Sequence, residues 1–240
     1  EISRYATTLT YHLDNGPSNA IVYPKHGPFD RRLGYVAMPE LLKRAQSRGM
    51  EVEKQARFSP NLMDYTSRGF FAPYPEKTQA GLNIVDSQGE PLYQFSYPMR
   101  VYASYESIPS LVVQSLLFIE NRQLLAPDKP YMNPAVDWVR FSRAAMHQAG
   151  KAVGLDYETI GGSTLATQME KYRHSPEGIT VTPTAKLKQM ASASVRAYQA
   201  GPETMPARKS LVLSYVNTLP LYGAPGYGEV HGLGDGLWVW

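Results

Sequence analysis

Apolar and polar residues follow two different rhythms along this chain, and the change falls near residue 100. Before that point the apolar runs are short and broken by turn residues. Ala20-Ile21-Val22-Tyr23 lies between Pro17 and Pro24 and predicts a strand. Residues 38–48 predict a helix, with Pro39 in the first turn, Leu41, Leu42 and Ala45 on one face, and Gly49 as the stop. Residues 50–57 predict a returning strand, which would complete a small β-α-β unit. The Tyr- and Pro-rich stretch over 58–75 reads as irregular. Residues 82–85 and 92–95 then flank Asp86-Ser87-Gln88-Gly89-Glu90, a hairpin signal with Gly89 in the turn.

From about Ser107 the period becomes helical. Residues 111–122 carry apolar side chains at 112, 113, 116, 117 and 119. Further helices are expected over 137–153, after Gly161-Gly162, over 183–200 and over 207–219. The last stretch is glycine-rich, from Gly223 to Gly236. The pattern predicts an α+β protein: a small mixed region over 1–100 ending in a β-hairpin, then a mainly α-helical domain over 101–240.

Composition narrows the class. At 240 residues and 43% apolar content the chain can bury a proper core, which excludes disorder. The net charge of +3 gives no reason to expect a nucleic-acid partner. Cysteine is absent, so disulfides, thiolate nucleophiles and thiolate zinc sites are excluded. No run approaches the roughly 18 apolar residues that span a bilayer. The chain begins at Glu1 and stops inside the apolar Leu237-Trp238-Val239-Trp240, so the expectation is a piece of a longer protein.

Two clusters carry candidate chemistry. The first is Gly161-Gly162-Ser163-Thr164-Leu165-Ala166-Thr167-Gln168-Met169-Glu170-Lys171. Two glycines, two hydroxyls and a helix that presents Gln168 and Lys171 on one side suit a phosphate or pyrophosphate. The spacing matches neither the Walker loop nor the dinucleotide fingerprint. An ordinary helix start capped by Ser163 or Thr164 explains the same residues. The second is Glu120, at the end of an apolar helix, where partial burial favours general acid or base work. A surface glutamate at a helix end is the plain alternative.

The glycine-hydroxyl stretch resembles the signature G-G-S-T-[IL]-T-Q-Q-x-x-K of bacterial peptidoglycan glycosyltransferases, the transglycosylase domains of class A penicillin-binding proteins and their monofunctional relatives. The two glycines, Ser163, Thr164, Gln168 and Lys171 match in register, while Ala166 and Thr167 depart from it. Ile108-Pro109 and Ile119-Glu120-x-Arg122 resemble the family's opening I-P and I-E-D-R-x-F segments, with Asn121 and Leu124 as departures and residues 127–134 as a small insertion. For R-K-x-x-E the best register places Lys188 on the Arg, Gln189 on the Lys and Ser192 on the Glu, which loses a carboxylate. Arg208, Tyr215 and Asn217 fit the fourth motif, with Leu213 in place of its Glu. Glu229 and His231 are the ionisable groups of a loose fifth.

The resemblance implies a lysozyme-like helical fold over 101–240 and polymerisation of lipid II into glycan strands with release of undecaprenyl pyrophosphate. It assigns Glu120 as the base for the acceptor hydroxyl. It assigns Arg122, Gly162, Ser163, Thr164, Gln168, Lys171 and Lys188 to substrate binding, and Arg208, Tyr215 and Asn217 to structure. No cofactor is required by it, although a divalent cation (Mg or Mn) with the pyrophosphate is compatible; no carboxylate cluster has metal-ligand spacing. Expected partners are lipid II, nascent peptidoglycan, the membrane surface and, through residues 1–100, other cell-wall synthesis proteins. The expected place is the extracytoplasmic face of the bacterial inner membrane. With the family's later glutamates replaced, a catalytically impaired homologue that binds or scaffolds is the alternative, and a lytic glycan-cleaving enzyme a third reading.

Overall fold

The structure is a computed structural model that describes residues 1–21, 23–24, 27–136 and 163–240. The helix expected over 137–153 and the Gly161-Gly162 turn lie outside the described residues. The elements are α1 (Ile2–Ala6), β1 (Tyr11–Asn15), α2 (Pro28–Arg32), α3 (Met38–Gln46), β2 (Lys54–Phe58), α4 (Pro60–Ser67), β3 (Ala80–Val85), β4 (Pro91–Tyr97), α5 (Ser110–Glu120), α6 (Leu165–His174), α7 (Pro183–Ala197), α8 (Met205–Thr218) and α9 (Leu233–Val239). Helices and short strands together make an α+β fold.

Local capping and turn chemistry starts several of these elements. Ser59 accepts from the Leu62 N–H at 3.2 Å and Pro60 opens α4. Thr182 caps α7 by accepting from the Ala185 N–H at 3.0 Å, with Pro183 next. In the β3–β4 hairpin the Asp86 carboxylate accepts from the N–H groups of Gln88 and Glu90, and Gly89 takes φ 88°.

The N-terminal β-α-β expectation is corrected. β1 pairs with β2 antiparallel, Tyr11 opposite Phe58 and Asn15 opposite Lys54. No strand forms at Ala20, Ile21 or Tyr23. Side chains of β2 hold that segment instead: Arg57 donates to the carbonyls of Asn15, Gly16 and Pro17, and Gln55 accepts from the Ser18 N–H and donates to the Tyr23 hydroxyl. Within the stretch read as irregular, the structure has helix α4.

Two apolar clusters organise the packing. One joins Val113 of α5, Leu165 of α6 and Val212 and Val216 of α8 with Ile108 and Leu124. The other packs Ala6, Leu9, Leu62 and Tyr65 from the N-terminal region against Val195 of α7. Between α6 and α7 the contact residues are Ala166 and Ala193, small enough for close approach. Residues on both sides of position 100 therefore share core. The backbone contact is equally close at Gly27, where a Cβ would lie 1.6 Å from the Arg173 carbonyl oxygen. Asp235 of α9 accepts from the N–H groups of Met99 and Arg100 and pins the end of β4.

A buried ion cluster lies along this seam. Glu76 of the N-terminal region meets Arg173 at 2.5 Å and His174 Nε2 at 2.6 Å. Glu170 meets Arg196 at 2.5 Å, and Asp30 meets His174 Nδ1 at 3.1 Å. Arg196 also donates to the carbonyls of Tyr74 and Ala72. The three carboxylates balance two guanidiniums only if His174 carries a proton. Burial opposes that charge, yet the charge of Glu76, the hydrogen bonds His174 donates to Asp30 and Glu76, and the charge of Glu170 outweigh it and raise His174 to about 9. Burial works against Glu76 ionising as well, and the charges of His174, Arg196 and Arg173 overcome it, holding Glu76 well below the usual carboxylate range.

A folded-state pKa raised above the ordinary 6.5 stabilises fully at lower pH and loses that contribution as pH rises through about 9. Denaturant midpoints measured between pH 6.5 and 9.5 are expected to fall by the equivalent of ~3 kcal/mol. The slope should vanish in His174→Gln. A wild-type midpoint that is flat across this window would contradict a charged His174.

Candidate active site

Helices α5, α6 and α8 converge on Glu120. This residue ends α5 because the apolar run Leu116-Leu117-Phe118-Ile119 stops there and Asn121 leaves the helix with extended dihedrals. The glutamate is half-buried, and its Oε2 accepts from Gln168 Nε2 at 3.2 Å. Tyr215 of α8 stands close by: burial raises its phenol pKa, and the negative charge of Glu120 raises it further. The structure thus brings the candidate acid and the candidate cradle helix into direct contact.

The start of α6 divides the two hydroxyls between two tasks. Thr164 is the cap: its Oγ1 accepts from the Thr167 N–H at 3.3 Å, and its own N–H donates to Thr167 Oγ1 at 2.9 Å. It is buried, so the ordinary capping explanation accounts for Thr164. Thr167 stands where the family signature has a glutamine, and the exchange of hydroxyls gives a reason for it. Ser163 is the free hydroxyl of the pair and accepts from Lys186 Nζ at 2.7 Å.

Lys186 is the residue that sequence reasoning missed. The basic position of the third motif was expected at Lys188, whose side chain the structure places toward the N-terminal region. Lys188 Nζ donates to the Arg68 carbonyl at 2.7 Å and lies over the Phe70 ring, facing the N-terminal region. Two residues on a helix are about 200° apart, so one lysine can face α6 only if the other faces away. Ser192, at the position of the family's Glu, is fully buried and accepts from the Phe71 N–H at 3.0 Å, on that same N-terminal side. Gln189 is also buried, donating to Ser175 and Thr180.

Burial lowers the pKa of Lys186, and the positive charge of Lys171 lowers it again. The Lys186 ammonium on Ser163 thus feels the positive charge of Lys171, and among the described residues no carboxylate forms an ion pair with either lysine. Like charges held together in a half-buried place favour an incoming polyanion. Gln168 and Lys171 are one turn apart on α6, so the strip runs from Glu120 through Gln168 to Lys171, Lys186 and Ser163.

The remaining candidates lie elsewhere. Arg122 is exposed and stacks over the Phe118 ring at 4.1 Å, along α5 rather than across to α6. Gly162 lies outside the described residues. Arg208 is fully buried and donates to the carbonyls of Leu124 and Lys129, fixing the loop that follows Glu120. Asn217 accepts from the Tyr102 N–H and donates to the Tyr102 carbonyl, fixing the approach to α5. His231 is buried against Glu229 at 3.0 Å, and Glu170 points into the ion cluster, so neither joins Glu120. Among the described residues no group of three or more His, Asp or Glu side chains is placed to hold a metal ion.

A family model described as transglycosylase matches residues 88–240, and the chain belongs to that family. The match contains Glu120, all of α6 and the lysines of α7. A peptidoglycan glycosyltransferase type of function follows from membership. No curated protein matches the chain.

If Lys186 holds the anion, calorimetric titration with inorganic pyrophosphate should separate the two lysines of α7. Lys186→Met is expected to weaken binding by roughly tenfold or more, the scale of a lost charge-assisted hydrogen bond. Lys188→Met should bind as wild type. Equal losses in the two variants would contradict the placement.

Proposed function

We propose that this chain polymerises lipid II into glycan strands. Glu120 takes the proton of the acceptor's 4-hydroxyl as that oxygen attacks the donor's anomeric carbon. The bond from that carbon to the pyrophosphate oxygen breaks, and undecaprenyl pyrophosphate leaves. Gln168 occupies one oxygen of Glu120 and leaves the other for the acceptor hydroxyl. Lys171, Lys186 and Ser163 take up the charge that develops on the leaving group. The observation that carries this reading is the 3.2 Å contact between Gln168 and Glu120, which sets a carboxylate beside the cationic strip. A lytic enzyme would need the acid but has no use for paired ammonium groups.

The rest of the reading follows from the substrate. A lysozyme-like helical fold is what the family resemblance brings to residues 101–240. Phe118 and Ile119 are exposed on α5 next to the proposed base, and Leu111 is exposed at the start of the same helix, a suitable surface for the membrane in which a lipid-linked sugar resides. No helix among the described residues is long and apolar enough to cross a bilayer. We place the protein at the extracytoplasmic face of the inner membrane, with residues 1–100 available to other cell-wall synthesis proteins. A divalent cation would travel with the substrate's own pyrophosphate oxygens, and no step is assigned to it.

The burial of Ser192 beneath Phe71 favours a second reading. No carboxylate supports Glu120 from α7, and removing one such stabiliser costs ~10²–10³ in rate. A homologue that binds lipid II without turning it over fits that loss. The test is polymer formation from fluorescent lipid II. Wild type should yield glycan strands, and Glu120→Gln should lower the rate by ~10³-fold or more. Lipid II binding without polymer would favour the scaffold, and soluble fragments released from intact peptidoglycan would favour the lytic reading.

A further inference from the structure

A cavity of about 660 Å³ opens near the C-terminal end of α6. Arg31 and Arg32 of α2, Tyr172 of α6, and Tyr222, Glu229 and His231 of the loop between α8 and α9 supply its polar wall. Arg31 and Arg32 precede residue 88, so the arginines of this wall lie outside the region matched by the family model, while Tyr172, Tyr222, Glu229 and His231 lie within it.

Arg32 is the unusual member. Its Nε, Nη1 and Nη2 are each buried and none has a hydrogen-bond partner among the described residues. One face of the guanidinium rests on the Phe29 ring at 4.9 Å, which satisfies no N–H group. A guanidinium keeps its proton at any accessible pH, so this is a standing charge with unused donors. Nearby carboxylates are engaged elsewhere: Glu177 pairs with Arg31 at 3.1 Å, and Glu229 meets His231 Nε2 at 3.0 Å. That second contact places the imidazole proton on Nε2. His231 Nδ1, also buried and without a partner, is then a free acceptor.

One bidentate cationic donor beside one neutral acceptor suits a carboxylate next to an amide N–H. Phosphate fits less well, because a dianion would face Glu177 and Glu229 across the same cavity. The position suits a group attached to the reacting sugar. Tyr172 follows Gln168 by one turn on the same side of α6, about 6 Å farther along the helix.

We propose that this cavity binds a carboxylate of the peptide borne by the glycan substrate, with Arg32 donating to the carboxylate and His231 Nδ1 accepting from the adjacent amide. The assignment rests on the glycosyltransferase reading above.

The probe is a soluble muramoyl dipeptide with a free terminal carboxylate, compared with its carboxamide by calorimetry on the whole chain. Wild type should bind the acid saturably and the carboxamide roughly 10- to 100-fold more weakly. Arg32→Gln should lose the same factor for the acid and no longer distinguish the two. Should Arg32→Gln fail to fold, Tyr222→Ala at the exposed rim decides, with an expected loss of roughly three- to tenfold at an unchanged melting temperature. Glu120→Gln should bind the acid as wild type does. Equal affinity of wild type for acid and carboxamide, or no binding of the acid, overturns the inference. Polymerisation of lipid II alongside equal affinities removes this site alone. Discrimination between the probes without polymerisation removes the transferase reading and leaves the carboxylate site standing.

Discussion

Helix α6 has two polar faces with opposite duties, and the buried ion cluster decides which face goes where. Glu170, Arg173 and His174 point toward the N-terminal region, where Glu76 and Asp30 complete their charges and Arg196 of α7 closes the ring. Gln168 and Lys171 are thereby turned the other way, toward Glu120 and Lys186. Desolvating so many charges is unfavourable unless each is met, and removing one partner from such an arrangement typically costs ~3–5 kcal/mol. Few rotations of α6 satisfy them all. The cluster contributes orientation more than net stability.

That arrangement also explains how residues 1–100 relate to the chemistry. They supply Asp30 and Glu76 to the cluster, the Phe71 N–H to Ser192 and the Arg68 carbonyl to Lys188. The face of α7 where the family carries its second glutamate is thus occupied by backbone from the N-terminal region. The departure at Ser192 is a packing consequence, since a glutamate side chain would meet that backbone. Lys186, on the opposite side of α7, is the lysine that reaches Ser163.

Much of this was legible in the sequence. Helical period marked α7, the glycine-bearing turn marked the β3–β4 hairpin, and motif resemblance singled out both Glu120 and Gln168. Other features depend on geometry that local pattern does not carry. β2 falls within the stretch read as a strand, but its partner β1 is an exposed strand some forty residues earlier, with no apolar alternation to announce it. Asp30, Glu76, Glu170, His174 and Arg196 become neighbours only after α2 and the 71–76 segment dock. The choice between Lys186 and Lys188 had the same origin: helical period says that one faces α6, and only the docked N-terminal region says which.

Hydrogen exchange resolved by segment tests the dependence of α6 on its cluster most directly. In Glu76→Gln, the amides of α6 and α7 are expected to lose protection while those of α5 and α8 keep theirs, because the buried cations have lost their counter-charge but the apolar cluster around Val113 and Val212 is intact. Unchanged protection of α6 in that variant would show that apolar packing alone orients the helix, and the account of how Gln168 comes to face Glu120 would be wrong.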